Sequence, residues 1–461
     1  MEMEKHINRP EDTIAAVATA PGQGGIGIIR ISGSQAENIL QKIFLPAAYR
    51  EEDIPVRMES HRMMYGRILD GPEVLDECMA VLMRAPSSYT REDVAEIQSH
   101  GGTQVLNRIL DLCLRTGARM AEAGEFTRRA FLNGRIDLSR AEAVMNLIAA
   151  RGEQERRAAV RQMTGGTADF IRKAADDLYR LQAGLAACID YPEEISDEEG
   201  AGALRVGLEK LITELSGAVD ERSSRLIHDG MHITLFGAPN AGKSSLLNAL
   251  VGQNKAIVTE IPGTTRDIVE GEIMLDGIRV YLTDTAGLRE TEDPIERIGV
   301  ERSELALRSA DVALLVLDGS IPLGKKEKEW LRKLQTTDAV VINKSDLQQE
   351  TTAEKVTLLR PDIRCLTVSA LDPASIQPIR DFLRENAEVR DQVVLTQPRH
   401  LDAVKRAVRC LEDAIRTLDD MTPDMAATDL QAAQKALGEI TGDQVDEKLL
   451  DAVFSGFCVG K

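Results

Sequence analysis

Four short runs of mostly apolar residues lie in the middle of the chain, and each is followed by a polar loop. The runs cover 233–236, 279–282, 339–342 and 365–368, and the loops carry Gly237, Asp284, Asn343 and Ser369. Continuous apolar runs that end at such loops are typical of strands buried on both faces of a parallel sheet. The pattern therefore predicts an α/β domain with a parallel-type sheet flanked by helices.

The beginning of the chain has a different pattern. Thr13 to Ala20 and Ile26 to Ile31 predict two strands joined by P-G-Q-G-G, and a helix is predicted from about Ser34 to Phe44. The glycines between the strands also occur in phosphate-binding turns, but no lysine–serine pair or helix start follows them, which favours a hairpin turn. We therefore predict a mixed α/β N-terminal domain.

Two further segments have helical composition, with many Ala, Leu, Glu and Arg residues and few helix breakers. They run from Leu138 to about Arg225 and from Pro398 onward. The second contains an apolar seam at three- and four-residue spacing, which predicts packing inside a helical bundle; its members are Leu401, Val404, Val408, Leu411, Ile415 and Leu418.

The order of these segments predicts a multidomain α+β and α/β protein. The economical arrangement is a discontinuous all-α domain interrupted by the inserted α/β domain. The predicted boundaries are 1–133 for the N-terminal domain, 134–225 and 394–461 for the two helical parts, and 226–393 for the insertion. The second helical part ends in a tail that contains Cys458.

Composition narrows the class of protein. Acidic residues outnumber basic ones 75 to 56, for a formal net charge of −19, which argues against broad nonspecific affinity for nucleic acid. The start is charged, and no long uncharged apolar run occurs, so neither a signal peptide nor a membrane span is predicted. Six scattered cysteines without a C-x-x-C pair favour reduced thiols over disulfides or a zinc site. We predict a cytoplasmic protein.

The loop after the first apolar run reads G-A-P-N-A-G-K-S from Gly237 to Ser244. A glycine-rich turn lets backbone N–H groups point at phosphate oxygens, and the helix that follows, predicted from near Ser245, presents its positive end to the same anion. Lys243 is predicted to reach the β- and γ-phosphates and Ser244 to bind Mg²⁺. The predicted nucleotide contacts here are Asn240, Ala241, Gly242, Lys243, Ser244 and Ser245.

Three later loops follow in the order that a guanine-nucleotide domain requires. D-T-A-G (Asp284, Thr285, Ala286, Gly287) places a carboxylate near Mg²⁺. N-K-S-D (Asn343, Lys344, Ser345, Asp346) lets the Asp346 carboxylate accept two hydrogen bonds from guanine, which adenine cannot supply, and leaving that carboxylate buried and unpaired would exclude ATP. A weaker third signal is the loop of Ser369, Ala370 and Leu371, whose backbone N–H would contact the guanine oxygen. The substrate is predicted to be GTP.

The segment I-V-T-E-I-P-G-T-T-R-D from Ile257 to Asp267 is predicted to order when GTP binds, with Thr265 as the second Mg²⁺ ligand. The predicted GTP contacts in it are Thr259, Glu260, Ile261, Pro262, Gly263, Thr264 and Thr265. Leu288 stands where many small GTPases have the glutamine that orients water, so the catalytic group must come from elsewhere.

Two residues are candidates for the missing catalytic machinery, and each has a second interpretation. Asn240 either offers its amide oxygen to a monovalent cation between the phosphates or simply favours the turn. Glu296 either holds the attacking water through a bridging water or is an exposed residue at a helix start.

The motifs along the whole chain resemble those of the MnmE family of tRNA modification GTPases, also called TrmE. They are A-P-G-Q-G-G-I-G-I-I-R-I-S-G at 20–33, S-Y-T-R-E-D-V at 88–94, G-E-F-T-R-R-A-F-L-N-G-R-I-D-L at 124–138, G-T-T-R-D at 263–267, D-T-A-G-L-R-E at 284–290 and F-C-V-G-K at 457–461.

The resemblance implies an N-terminal domain that binds a tetrahydrofolate derivative, in the 5-formyl or methylene form, and that forms a homodimer. It also implies a heterotetramer with the flavoprotein MnmG (GidA), which together with this chain would add an aminomethyl or carboxymethylaminomethyl group to carbon five of the wobble uridine of certain tRNAs. Matching motif positions carry folate contact to Arg30, Glu96, Arg135 and Lys461. Arg135 stands where lysine is expected, which keeps the charge but not the geometry.

The resemblance also assigns roles that the residues alone leave open. It implies a potassium site of Asn240, Thr259, Ile261 and Thr264, with Glu296 as the catalytic glutamate. Cys458 is by composition a small residue suited to apolar packing, whereas the resemblance implies a nucleophile or acid in one-carbon transfer. The competing function is a ribosome- or RNP-assembly switch with the same GTPase engine and no modification chemistry, but such GTPases usually carry a basic RNA-binding module.

Overall fold

The computed structural model describes residues 12–190, 197–252, 271–284, 310–389, 394–420 and 423–460. The chain divides into two compact units. The first contains residues 1–145 and 438–461, and the second contains residues 146–437. No helix within the described ranges is long and apolar enough to cross a membrane.

The first unit is built on a seven-stranded sheet whose order is β3-β4-β5-β6-β2-β1-β7. All neighbours are antiparallel except β1 and β7, which run parallel. The strands are β1 Ile14–Val17, β2 Gly24–Ser32, β3 Phe44–Pro46, β4 Met64–Asp70, β5 Glu73–Met83, β6 Val94–Gly101 and β7 Arg119–Met120. The predicted hairpin of β1 and β2 is confirmed.

Five α-helices of this unit lie within the described residues. They are α1 Ala36–Ile43, α2 Thr103–Arg115, α3 Glu125–Leu132 and α4 Leu138–Ala149, with α15 Glu447–Ser455 near the end of the chain. Ala15, Ile29 and Ile31 face the apolar sides of α1 and α2 in one core. Ile14 and Ala16 face the opposite side, where they pack with Phe126 of α3.

This alternation decides where the polar residues of β2 lie. Successive side chains of a strand point to opposite faces, so Arg30 and Ser32 lie on the face opposite to Ile29 and Ile31. Arg30 is directly across from Glu96 of β6 in the strand register. The predicted folate residues Arg30 and Glu96 therefore share the face that α1 and α2 leave uncovered.

The second unit combines helices with the predicted α/β domain. Its helices are α5 Glu153–Met163, α6 Gly166–Asp190, α7 Asp197–Ala218, α8 Glu221–His228, α9 Lys243–Gly252, α10 Lys325–Lys333, α11 Ala353–Leu359, α12 Gln377–Asn386, α13 Pro398–Asp420 and α14 Pro423–Thr441. Helix α14 continues past residue 437, where the first unit resumes, and α4 continues past residue 145, where the second unit begins. Both predicted helical segments are present, and the fold class is confirmed.

The apolar seam of α13 differs from its prediction in detail. Leu401, Val404 and Leu411 are buried as predicted, but Val408, Ile415 and Leu418 are only half-buried. Ala403, Ala407 and Ala414 are fully buried instead. The packed face is centred on these small residues because they let neighbouring helices approach closely, and a hydrophobicity pattern that weights large side chains misses them.

The sheet of the second unit has six strands in the order β13-β12-β11-β8-β10-β9. The strands are β8 Met231–Phe236, β9 Gly271–Leu275, β10 Ile278–Asp284, β11 Val312–Asp318, β12 Ala339–Asn343 and β13 Arg364–Thr367. All pairs are parallel except the β9–β10 hairpin. Because the ends of parallel strands meet at one edge, Asp284, Asp318 and Asn343 lie along the same edge as the loop after β8.

An ion pair with little exposed surface joins this sheet to the helices of the same unit. Arg279 of β10 contacts Glu155 of α5 at 2.5 Å, and its guanidinium also donates to the carbonyl of His228 at 2.6 Å. The Arg279 and Glu155 side chains are only 14% and 11% exposed. The strand that ends at Asp284 is thus fixed to α5 and to the end of α8.

Candidate functional site

The loop between β8 and α9 has the backbone form of a phosphate-binding turn. Asn240 has φ of 63° and Gly242 has φ of 96°. A Cβ at Gly242 would lie 2.1 Å from the side-chain nitrogen of Asn343, so this position requires glycine. The helix begins at Lys243, two residues before the predicted start, because the Gly242 carbonyl already accepts the N–H of Leu246.

Lys243 is held inside this loop. Its ammonium donates to the carbonyls of Gly237 at 3.2 Å and Ala238 at 3.1 Å, and the residue is 7% exposed. Burial lowers the pKa of Lys243, and the nearby Asp284 carboxylate partly opposes this. A bound phosphate would offer a stronger partner than these two neutral carbonyls, so the ammonium is suited to a phosphate anion.

Ser244 and Asp284 form a second polar pair at the same edge. The Ser244 hydroxyl donates to Asp284 Oδ2 at 2.6 Å. Asp284 Oδ1 is buried and has no hydrogen-bond partner among the described residues. A hydroxyl oxygen beside an unsatisfied buried carboxylate oxygen is the hard oxygen set that Mg²⁺ prefers, so these residues fit the predicted ion.

Asn343 connects the phosphate loop with the predicted guanine loops. Its side-chain nitrogen donates to the carbonyl of Ala241 at 2.9 Å, and its side-chain oxygen accepts the N–H of Ala370 at 2.9 Å. The residue is 1% exposed. The Ala370 N–H is thus directed at Asn343, whereas the predicted role of this loop is to offer a backbone N–H to the base.

Asp346 is exposed, so its carboxylate is open to a base. The Ser369 hydroxyl donates to Asp346 Oδ1 at 2.5 Å and thereby orients the carboxylate. Ser345 is also exposed, and its N–H donates to the carbonyl of Val368. Discrimination against adenine then requires that the loop hold this carboxylate in a fixed direction.

Many of the predicted contacts lie outside the described residues. They are the segment residues Thr259, Glu260, Ile261, Pro262, Gly263, Thr264 and Thr265, the D-T-A-G residues Thr285, Ala286 and Gly287, and Glu296 and Lys461. Of the predicted potassium ligands, the structure describes Asn240, which is exposed; Ser245 is exposed as well.

A second cluster of predicted residues lies in the first unit. Arg30 Nε donates to Glu96 Oε1 at 2.8 Å, and Arg30 Nη1 donates to the carbonyl of Gly460 at 3.4 Å. The Arg30 guanidinium lies 5.4 Å from the ring centre of Tyr89 and 5.7 Å from that of Phe126. The chain itself therefore orients this guanidinium.

The end of the chain packs onto the same face of the first unit. Phe454 and Phe457 are buried against Leu138, and Val459 pairs with Ala123 in an antiparallel bridge. Gly460 has φ of 96°, and a Cβ there would lie 2.2 Å from the carbonyl of Val17, so only glycine fits. Cys458 is exposed, which disfavours the apolar-packing interpretation of this residue.

Arg135 is placed beside this cluster by Tyr89. Its guanidinium lies 4.7 Å from the Tyr89 ring centre and donates to the Tyr89 carbonyl at 3.0 Å. The structure thus brings together Arg30, Glu96, Arg135 and the tail. Charged groups beside aromatic rings are suited to a flat, polar heterocycle, so the described residues fit a folate-like ligand.

Two residues near these clusters were not singled out from the sequence. Tyr89 lies between the two arginines, inside the S-Y-T-R-E-D-V motif. Asp318 contacts Lys344 at 2.5 Å and accepts a hydrogen bond from the Ser320 hydroxyl. Partial burial acts to raise the pKa of Asp318, but these two contacts outweigh it and lower the pKa. Asp318 ends a buried strand, as Asp284 and Asn343 do, and this position at the end of an apolar run could have identified it from the sequence.

Comparisons with known proteins agree with this architecture. A family model described as "GTP-binding protein TrmE N-terminus" matches residues 13–135, and one described as "MnmE helical domain" matches residues 138–458.

Three relatives named tRNA modification GTPase MnmE are similar over nearly the full length. The protein of Alkaliphilus oremlandii is 41% identical and that of Clostridioides difficile is 40% identical, each over 98% of this chain and 99% of the relative. The protein of Heliobacterium modesticaldum is 42% identical over the same shares. Because family models and relatives span the chain at these identities, the chain belongs to the MnmE family of tRNA modification GTPases.

Proposed function

We propose that this chain is a potassium-dependent GTPase that acts with the flavoprotein MnmG on the wobble uridine of certain tRNAs. Together they add an aminomethyl or carboxymethylaminomethyl group to carbon five of that base, as a heterotetramer built on a homodimer of this chain. The observation that carries this proposal is the tail, in which the Gly460 carbonyl accepts a hydrogen bond from Arg30, the partner of Glu96, and Cys458, two residues before Gly460, is exposed. A bare GTPase switch has no need of this cluster.

In the first unit, the chain's own groups prepare a binding site. Arg30 fixes the Glu96 carboxylate and the Gly460 carbonyl at once, and Tyr89 packs beside both Arg30 and Arg135. Lys461 follows Gly460 directly and completes the predicted set. A tetrahydrofolate derivative held here would supply the one-carbon unit. Cys458 is the exposed thiol available as nucleophile or acid.

In the second unit, Lys243 would bind the phosphates and Ser244 and Asp284 would hold Mg²⁺ together with Thr265. Asn240 would hold potassium with Thr259, Ile261 and Thr264, and the added positive charge would stabilise the transition state as an arginine finger does. Glu296 would position the water. GTP binding would bring the GTPase domains of the dimer together, and hydrolysis would separate them.

The folate site is tested by Arg30→Lys, which keeps the charge but cannot donate in the two directions that Glu96 and Gly460 require. We expect the affinity for 5-formyltetrahydrofolate, measured by calorimetry, to fall about tenfold to a hundredfold, the effect of losing a charge-assisted hydrogen bond. GTP hydrolysis should be unchanged. Arg62→Lys is the control, because Arg62 pairs with Glu59 on the surface. Equal affinity of Arg30→Lys and wild type would refute the assignment.

The potassium site predicts faster GTP hydrolysis in potassium chloride than in sodium chloride at equal ionic strength, by about tenfold or more. Sodium has shorter coordination distances and would not span the same oxygens. Asn240→Gly should remove the difference between the salts, because glycine tolerates the φ of 63° but lacks the amide oxygen. Equal wild-type rates in the two salts would exclude the potassium site.

A further inference from the structure

The N-K-S-D turn must hold an exposed carboxylate in a fixed direction. Asp346 is exposed, and Ser369 orients one of its oxygens at 2.5 Å. That hydroxyl cannot by itself set where the backbone of Asp346 lies. Lys344 has φ of 63°, a left-handed conformation that costs a non-glycine residue energy unless its surroundings maintain it. Something else must therefore hold the turn.

One side chain ties the two sides of this turn together. The Gln349 side-chain amide donates to the carbonyls of Lys344 and Leu347, both at 2.8 Å. The Leu347 N–H also donates to the Lys344 carbonyl at 3.0 Å, which closes the turn around Asp346. Both N–H donors of the Gln349 amide are thus bonded to carbonyls of residues that flank the turn.

The orientation of the Gln349 amide is fixed by its surroundings. Its Oε1 is buried, with no hydrogen-bond partner among the described residues, and points at Gly319, where a Cβ would lie only 2.2 Å away. A flipped amide would direct Oε1 at two carbonyl oxygens and lose both hydrogen bonds. The loop after β11 secures the following residues, since the Gly319 carbonyl accepts the N–H groups of Glu350 and Thr351.

We propose that Gln349 is a positioning residue for guanine recognition, which acts by holding the turn that presents Asp346. Asp318 supports the same turn from the end of β11, because it contacts Lys344. The role concerns the GTPase activity of the family and not the tRNA chemistry proposed above. It rests on the predicted contact of Asp346 with guanine.

The test compares GDP with IDP, whose base lacks the 2-amino group that Asp346 would recognise. Gln349→Glu has nearly the same shape, but a carboxylate cannot donate to two carbonyls. In the full-length variant we expect the Kd for GDP to rise about tenfold or more, while that for IDP rises less than about threefold, so that the preference for GDP falls. Gln348→Glu, an exposed neighbour with the same charge change, should keep the wild-type preference.

Gln349→Ala is the second variant, because it removes the donors without adding charge, and it should show the same loss of preference. An unchanged ratio of GDP to IDP affinity in either folded variant overturns the proposal, even if both affinities fall, because a merely structural residue lowers both alike. Unfolding of both variants, seen by circular dichroism, also overturns it. A wild-type chain with no preference for GDP would instead refute the Asp346 contact on which the proposal rests.

Discussion

Replacing Lys243 by alanine is expected to slow GTP hydrolysis by at least about a hundredfold, the usual scale for removing a group that stabilises charge in the transition state. Lys243 is the buried cation of the loop, held by two backbone carbonyls that a phosphate would replace. Single-turnover hydrolysis and GTP affinity are the measurements.

Stability separates this effect from misfolding. Burial lowers the pKa of Lys243, so its ammonium is disfavoured in the protein without nucleotide. Lys243→Ala also removes two hydrogen bonds to the Gly237 and Ala238 carbonyls, so the melting temperature of the nucleotide-free variant is measured beside its hydrolysis rate. Lys328→Ala, at an exposed lysine of α10, is the control and should leave hydrolysis unchanged. A Lys243→Ala chain that hydrolyses GTP at the wild-type rate would show that the loop is not the phosphate site.

Replacing Asp346 by asparagine is expected to change the preferred nucleotide from GTP to XTP. Asparagine keeps an oxygen that can accept from Ser369, and its amide N–H₂ can then face the base, where xanthine presents a carbonyl in place of the guanine amino group. We expect kcat/KM for GTP to fall about a hundredfold or more and kcat/KM for XTP to rise. A loss of this size is expected when a polar group of the site is left without its partner on the substrate.

Asp381→Asn, at an exposed carboxylate of α12, controls for the loss of one negative charge and should leave the preference for GTP intact. If Asp346→Asn still prefers GTP over XTP by the wild-type factor, the N-K-S-D turn does not read the base. The proposed role of Gln349 would then fail with it.

The architecture was largely predictable because buried parallel strands leave a strong signal. The runs before Gly237 and Asn343 are mostly apolar because both faces of β8 and β12 are covered, whereas β10 before Asp284 alternates, with Arg279 and Tyr281 only half-buried. The order of the three runs identifies the edge where the loops gather. The β1–β2 hairpin was also predictable, because the glycines between the two strands are not followed by the lysine and the helix start of a phosphate loop.

What the sequence did not predict depends on contacts between distant positions. Gln349 reads as one of two adjacent glutamines in a polar loop, and only the fold directs its amide at the two carbonyls of the turn. Tyr89 and Arg135 are 46 positions apart and meet through the packing of α3 and its neighbours.

The most direct test is mass spectrometry of tRNA nucleosides from cells that lack this chain, before and after the wild-type chain or Cys458→Ser is restored. The account predicts that the wobble-uridine modification disappears without the chain and returns with the wild type. It further predicts that Cys458→Ser, although folded and active as a GTPase, does not restore full modification. Full modification with Cys458→Ser would remove the thiol from the mechanism. Unchanged nucleosides in cells that lack the chain, with GTPase activity intact in the purified protein, would contradict the modification function and leave a GTPase switch.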